Sequence, residues 1–237
     1  MKEILSAFGR AARDFSQGGV LWHALWPPLV SALLWAAVAL LIWTDGLAAM
    51  ERLIPTLPWS GWEFIARWAA VFLLLAGFAT LTYVTALLLV AVVALPLLIN
   101  RIAARDYPDL VRRGENVFFG SLANTLVAGL IFVVGGLASL PLLLIPGVIL
   151  VLPLTWAAWL NQRTFRFDAL AEHATRAELK QLTESNSSGF LALGVGTAAL
   201  AHVPILQVLA PTYAAVAFVH YGLGALRRLR AEQGVQL

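Results

Sequence analysis

The stretch Trp68–Ile99 reads WAAVFLLLAGFATLTYVTALLLVAVVALPLLI, and its 32 residues include no formally charged side chain. As one α-helix, which rises about 1.5 Å per residue, the stretch would be about 48 Å long. The hydrocarbon core of a bilayer is about 30 Å thick, so we predict a membrane helix that tilts, bends or projects into the cytoplasm. Pro96 predicts a break near its end, because proline has no N–H to donate to the helical ladder.

Three further apolar blocks cover residues 20–43, 120–160 and 189–226. Hydrophobic residues make up 60% of the chain and charged residues 12%, against about 45–50% and about 25% in soluble domains. The nine tryptophans suit a membrane interface, and the absence of cysteine excludes a disulfide framework and cysteine metal sites. The sequence therefore predicts an all-α integral membrane protein whose main partner is the lipid bilayer.

The basic residues predict the topology. Fourteen of the sixteen lie in the N-terminal segment, in the loops after the second and third blocks, or in the C-terminal tail. Only Arg52 and Arg67 lie between the first two blocks. Because short cytoplasmic segments carry the Lys/Arg excess, we expect residues 44–63 to be external and both termini to be cytoplasmic.

This topology makes each of the last two blocks a helical hairpin, since each must leave and return to the cytoplasmic side. Proline and glycine interrupt both blocks, at Pro141, Pro146, Gly147 and Pro153 in the third and at His202–Pro204 and Pro211 in the fourth. The arms 147–160 and 189–201 are also too short to cross a core of about 30 Å. These lengths favour re-entrant hairpins that penetrate partly, and the alternative is two ordinary hairpins whose arms span a thinned bilayer.

The predicted fold is one membrane domain over residues 1–237. It has two long transmembrane helices (20–43 and 68–99), two partly penetrating hairpins (120–160 and 189–226) and cytoplasmic amphipathic helices. We expect no enzymatic activity, cofactor or metal, because the chain has no Gly-rich phosphate loop, paired-His zinc motif or Gly-x-Ser-x-Gly elbow. We expect no nucleic-acid partner either, because the arginines flank apolar blocks instead of forming a basic face.

Candidate substrate-binding residues lie where polar side chains fall inside apolar blocks. At the break in the fourth block, free helical N–H groups near His202, Gln207 and Tyr213 would attract an anion. Thr82 and Tyr83, midway along the second block, would line a hydroxyl path. The alternatives are structural: the threonine bonds its own or a neighbouring helix, and the histidine bonds the backbone.

Two arginines follow Pro96 directly. Arg101 and Arg105 would form an anion-attracting cytoplasmic mouth, or they serve the positive-inside topology alone. His220, closer to the cytoplasmic end of the fourth block, is expected at the membrane interface.

Several stretches together carry a family resemblance that covers most of the chain. They are Ala7-Phe8-Gly9-Arg10, Leu25-Trp26-Pro27-Pro28-Leu29, Ala94-Leu95-Pro96-Leu97-Leu98-Ile99-Asn100, Trp156-Ala157-Ala158-Trp159-Leu160, Phe165-Arg166-Phe167-Asp168 and Pro204-Ile205-Leu206-Gln207-Val208-Leu209-Ala210-Pro211. This pattern resembles the etoposide-induced protein family of bacterial inner membranes, whose best-known branch is the CysZ-type sulfate permease. The resemblance implies long spanning helices, partly penetrating hairpins, homo-oligomerisation and, in that branch, sulfate uptake.

One departure marks the chain as a divergent member. The sulfate-permease branch carries a Gly-Leu-Arg anion site just before the first span, where this chain reads Gly18-Gly19-Val20-Leu21-Trp22-His23 without arginine. The predicted function is an oligomeric inner-membrane permease or channel for a small anion, and the resemblance suggests sulfate. The alternative is a non-transporting membrane scaffold or accessory protein with a cytoplasmic partner surface.

Overall fold

The computed structural model describes residues 1–16, 19–115, 117–203 and 206–235, and every regular element within those ranges is helical. The α-helices are α1 (Lys2–Ser16), α2 (Gly19–Leu53), α3 (Trp62–Leu89), α4 (Leu95–Asp106), α5 (Val117–Ser139), α6 (Val148–Ala171), α7 (Arg176–Ser185), α8 (Ser187–Ala201) and α9 (Leu206–Gln233). A π-helical turn, Val90–Ala94, joins α3 to α4, and a 3₁₀ turn, Leu140–Leu144, follows α5.

Four of these helical runs are long and apolar enough to cross a membrane. They are Gly19–Leu53, Trp62–Asp106, Val117–Leu144 and Leu206–Gln233. The all-α, multi-pass membrane prediction is thereby confirmed at this level. The chain packs as two compact units, one formed by residues 1–21 and 95–237 and the other by residues 22–94. Whether all 237 residues act as one membrane domain stays a prediction.

In the unit of residues 22–94, side chains join α2 to α3. Ser31 Oγ donates to the carbonyl of Thr82 at 2.6 Å, and Trp35 Nε1 donates to Thr85 Oγ1 at 3.0 Å. Gly46 lies against Leu74, whose Cδ1 would be 3.2 Å from a Cβ at that glycine. Polar groups of these apolar helices are therefore paired across their contact, as membrane helices require.

Helix α2 continues to Leu53, so the first half of the predicted external segment 44–63 is helical. Helix α2 ends one residue before Ile54, which precedes Pro55, and a residue before proline disfavours the α conformation. The helix runs ten residues beyond the apolar block, because polar residues such as Asp45 end an apolar run without ending a helix; whether the span itself ends at residue 43 stays a prediction.

The predicted break at Pro96 takes the form of the π-helical turn that immediately precedes α4. Pro96 has no N–H to donate to the Val92 carbonyl in the α register, and a π turn is a common way to absorb such a defect. The helical run nevertheless continues to Asp106, seven residues past the predicted end of the second span.

In the third block, the turn falls between the 3₁₀ segment and α6, at Pro146 and Gly147, whose φ of +85° is easy only for glycine. The break predicted at Pro153 is wrong, since Pro153 lies in the second turn of α6 and costs that helix one ladder bond. The helix of the second arm is longer than its apolar part, and whether that apolar part is too short to cross the bilayer stays a prediction. Helix α6 has 24 residues, about 36 Å, because it runs on through polar residues as far as Ala171.

In the fourth block, the first arm is short as predicted: α8 has 15 residues, about 22 Å. The chain leaves the helix at His202 and Val203, whereas Pro204 of the predicted break lies outside the described residues. Pro211 makes no break and lies within α9. Whether either hairpin penetrates the bilayer only partly stays a prediction.

Helix α9 is the centre of the larger core, and helices α1, α4, α6 and α8 pack around it. Phe218 stacks on Phe190 of α8 with ring centroids 6.2 Å apart. The helices approach closely where glycine removes a side chain. Gly194 of α8 lies so close to α6 that a Cβ there would overlap the Ala158 carbonyl oxygen.

Candidate functional site

A partly buried cluster of ionisable side chains joins α1, α4 and α9. Asp14 Oδ2 lies 2.8 Å from His220 Nε2, and Asp14 Oδ1 accepts from Arg105 Nη2 at 2.6 Å. Arg105 Nε also donates to Asp106 Oδ1 at 2.7 Å, and Asp106 Oδ2 is 3.9 Å from His220 Nδ1. Both nitrogens of one imidazole therefore face carboxylates.

The amphipathic pattern of α1 brings Asp14 into this position. Ala7, Ala11 and Asp14 recur at helical spacing and are all buried, so the small apolar face that docks α1 on α9 ends in a carboxylate. His220 is 1% exposed and meets that carboxylate from α9. A lone buried carboxylate would be costly, and its two cationic or proton-donating partners offset that cost.

Tyr107 extends the cluster into a chain of hydrogen bonds. Its hydroxyl donates to the His220 carbonyl at 2.9 Å and accepts from Arg10 Nη1 at 3.1 Å. Burial raises the pKa of Tyr107, so its phenol remains a donor. Backbone and side chain of one α9 residue are thus both held by polar partners.

A cavity of about 280 Å³ opens onto the cluster and is lined by Arg10, Arg13, Asp14, Arg105, Asp106 and His220. The ligand atoms of Asp14, Asp106 and His220 lie within 4.8 Å of one another, a spacing that a cation could use. Arg105 already supplies positive charge to both carboxylates, however, which disfavours a second cation there.

The other predicted arginine, Arg101, belongs to α4, and its side chain reaches the beginning of α2. Its guanidinium packs on Gly19, where a Cβ would be 3.0 Å from Nη1 and 3.2 Å from Cζ. The two predicted arginines therefore have different surroundings, because Arg105 is bound by two carboxylates and Arg101 lies against helix backbone.

The three residues predicted at the break of the fourth block do not form one group. His202 is exposed and its Nδ1 lies 2.8 Å from the Ala198 carbonyl, which is the structural alternative considered for it. Gln207 is exposed in the first turn of α9. Tyr213 lies deeper, stacks on Phe8 and donates to the Phe8 carbonyl at 2.8 Å, so it holds α1 on α9.

Thr82 and Tyr83 belong to the other compact unit. The Thr82 carbonyl accepts the hydrogen bond from Ser31, and the Tyr83 side chain is 65% exposed on α3. Their neighbours Thr80 and Thr85 bond Ala76 of their own helix and Trp35 of α2, which is the structural role expected of membrane threonines.

Sequence reasoning missed Asp14, Asp106 and the buried position of His220. The side chain of His220 is enclosed by protein, and its expected depth at the membrane interface stays a prediction. Two signals were available: a carboxylate that continues the small-residue face of α1, and an ionisable residue inside the apolar run AVAFVHYGLGAL. Their pairing across 206 positions had no local signal.

Comparison with known proteins agrees with the membrane architecture. The sequence model described as sulfate transporter CysZ/etoposide-induced protein 2.4 matches residues 7–211 of this chain. No curated protein and no solved structure gives a match. The matched description names a transporter and not an enzyme. Because the match covers most of the chain, the protein belongs to the sulfate transporter CysZ/etoposide-induced protein 2.4 family.

Proposed function

We propose that the protein is an oligomeric inner-membrane permease or channel for a small anion, with sulfate as the first substrate to test. The observation that carries the proposal is the Arg101 guanidinium packed on Gly19 where α2 begins. Family membership supports transport, and four helical runs long enough to span a membrane supply the scaffold.

Two positive features coincide at Gly19. The N-terminal end of a helix carries partial positive charge and favours anions. A guanidinium adds full charge and a planar fork of donors that matches the oxygen atoms of a tetrahedral oxyanion. Glycine favours the approach, because a Cβ at position 19 would lie 3.0 Å from Nη1 and the guanidinium would have to shift by a few tenths of an ångström.

This geometry bears on the departure seen in the sequence. Residues 18–23 lack the arginine that the sulfate-permease branch carries before its first span. Arg101, from α4, brings a guanidinium to the same helix start from a distant part of the chain. On this proposal the anion site is retained and its cation has a different origin.

The test is uptake of radiolabelled sulfate by proteoliposomes that contain the purified protein. Arg101→Gln should reduce the rate by about tenfold or more, which is the loss expected for a charge-assisted hydrogen bond. Arg52→Gln, an exposed arginine in the last turn of α2, is the matched control and should retain the rate. Absence of flux for sulfate and related anions in wild-type vesicles would reject transport and favour the scaffold alternative.

Substitutions at the other predicted residues test two alternative paths for the anion. If the break before α9 forms the site, His202→Ala and Gln207→Ala should slow sulfate uptake while Arg101→Gln leaves it unchanged. If the path follows α3, Thr82→Val and Tyr83→Phe should slow it. Our proposal expects the Arg101 effect to be the largest of these.

The topology also remains a proposal, with both termini cytoplasmic and the hairpins partly penetrating from that side. The chain has no cysteine, so single cysteines at Ser139 and Ala201 can be labelled without background. Neither position should react with an impermeant reagent added outside. External labelling of either one would show that its hairpin crosses the membrane.

A further inference from the structure

A second, larger cavity lies beside the start of α5. It measures about 900 Å³, and we call it the juxtamembrane cavity. Its lining includes Arg113, Glu115, Phe119, Phe167, Arg176 and Leu179. None of these residues belongs to the charged cluster or to the Arg101 site.

The walls of the juxtamembrane cavity are held by backbone contacts. Arg113 N donates to the His173 carbonyl at 3.3 Å, and Gly114 N donates to the Glu172 carbonyl at 3.1 Å. Gly114 lies so close to the Ala171 carbonyl that a Cβ there would overlap it. The loop before α5 is therefore fastened to the α6–α7 connection, and the cavity is preformed.

A buried arginine of α9 also holds together the loop before α5 and the α6–α7 connection. Arg230 of α9 is fully buried; its Nη1 donates to the Val111 carbonyl at 3.0 Å and its Nη2 to the His173 carbonyl at 2.7 Å. Its Nε donates to Glu178 at 2.8 Å, and Glu178 also closes the capping box of α7 with Thr175. The rim residues Arg113 and Arg176 thus extend from a rigid base.

The juxtamembrane cavity lies beside the first residues of a candidate membrane span. Helix α5 begins the candidate span at Val117, and the adjoining Phe118 and Phe119 are 64% and 71% exposed. Because a span begins at the boundary between the headgroups and the hydrocarbon core, the first turn of this run lies close to the lipid headgroups. The cavity therefore opens where lipid headgroups would meet the protein. Phe119 belongs both to the cavity lining and to the exposed surface at the start of the span.

The lining is amphiphilic. Arg113 and exposed Arg176 place two positive charges against the single negative charge of Glu115. Phe119, Phe167 and Leu179 present apolar surface beside them. A small inorganic anion would use the arginines and leave the apolar wall in water, whereas a phospholipid covers both, as basic pockets beside membrane helices do.

We propose that the juxtamembrane cavity binds an anionic phospholipid, with the phosphate at Arg113 and Arg176 and an acyl chain along Phe119, Phe167 and Leu179. This proposal does not depend on anion transport. It assigns Arg113, which follows the second block, and Arg176, which follows the third, to lipid recognition.

The test is retention of phosphatidylglycerol by the full-length protein in detergent, measured by native mass spectrometry over a lipid titration. The probes are phosphatidylglycerol, phosphatidylcholine with matched chains, and inorganic phosphate. We expect tight retention of one phosphatidylglycerol and weak retention of phosphatidylcholine. Arg176→Gln should weaken phosphatidylglycerol binding about fivefold, and Arg113→Gln/Arg176→Gln about 25-fold.

Lys180→Gln is the matched control, because Lys180 is exposed one turn further along α7 and lies outside the cavity lining. It should retain wild-type binding. Equal retention of the two phospholipids, or unchanged binding in Arg176→Gln, would overturn the proposal. Displacement of phosphatidylglycerol by an equimolar amount of inorganic phosphate would overturn it in favour of a free-anion site. If the double variant does not fold, Arg176→Gln alone decides, since its exposed side chain is dispensable for packing.

Discussion

The runs Val117–Leu144 and Leu206–Gln233 have the same length, 28 residues, and opposite surroundings. Protein buries 72% of the most apolar window of α9 and only 6% of that of the α5 run. Polar side chains of α9, including Thr212, His220 and Arg230, are enclosed by the protein. The α5 run instead exposes apolar side chains such as Leu126, Leu130 and Leu144.

The contrast teaches that length and apolarity qualify a helix for the membrane without saying what surrounds it. Two buried side chains of α9 are paired with carboxylates, His220 with Asp14 of α1 and Arg230 with Glu178 of α7. The α5 run leaves a surface for lipid or for a second copy of the chain. Substitutions should therefore cost much more in α9 and its neighbours than in α5.

The largest effect is expected for Arg230→Ala. It would leave the Glu178 carboxylate and the carbonyls of Val111 and His173 without their donor. Removing one partner of a buried ion pair costs about 3–5 kcal/mol. Denaturant unfolding in a fixed detergent measures the change in the free energy of unfolding.

Arg228→Ala is the matched control, two residues away on the same helix. Arg228 pairs with Glu3 at 2.9 Å with a side chain 47% exposed, so its loss should cost less than about 1 kcal/mol. Equal losses for the two variants would contradict the view that α9 carries its charges inside a core.

Smaller effects are expected when two helical glycines are replaced by alanine, and the two changes in the free energy of unfolding should have opposite signs. Gly194→Ala in α8 forces a Cβ against the Ala158 carbonyl, at a cost of about 1–3 kcal/mol. Gly129→Ala in α5 adds a Cβ with no neighbour within 4 Å and should gain up to about 1 kcal/mol from helix propensity. Thermal unfolding of both variants in the same micelles checks the signs, and a destabilised Gly129→Ala would show that α5 is packed in the protein as purified.

The smallest effect is a pH dependence that originates beside Arg230. Burial, with Arg112 and Arg230, lowers the pKa of His173 from 6.5 to about 4. The folded state therefore disfavours the protonated form. The contribution of His173 to the free energy of unfolding is therefore fully present above pH 6.5. It declines as the pH falls from 6.5 towards 4, because the unfolded chain binds a proton that the folded chain does not.

His173→Gln should remove this contribution. Between pH 7.5 and pH 5.5, the wild type should lose about 1 kcal/mol more of its free energy of unfolding than the variant. Denaturant titrations at the two pH values give both numbers. Parallel losses in the two proteins would contradict the assignment of this pH sensitivity to His173.

Much of the architecture was predictable because apolar run length is a local property. The long second span, the turn at Pro146-Gly147 and the short α8 follow from residues within a few positions of one another. The helices that extend beyond their apolar blocks and the two prolines that make no break share one cause. A helix ends where its hydrogen bonding ends, so α2 and α6 run on through polar residues, and Pro153 and Pro211 lie inside helices.

The candidate site was only partly predictable. Arg101 and Arg105 stood out by position, but their neighbours come from residues 82 and 91 positions away, Gly19 and Asp14. Those neighbours give the two arginines different environments. His202 and Tyr213 were noticed as polar residues in apolar runs, and the backbone carbonyls that they contact could not be identified from their sequence neighbours.

The sequence by itself determined that this is a helical membrane protein, because long uncharged runs are stable as helices in a bilayer, where backbone groups must be paired internally. Only the tertiary structure decided which apolar helix is enclosed by protein, which arginine is neutralised by carboxylates and which lies at the start of a helix. The physical reason is that hydrophobicity is a property of each residue, whereas charge pairing and burial depend on contacts between distant parts of the chain.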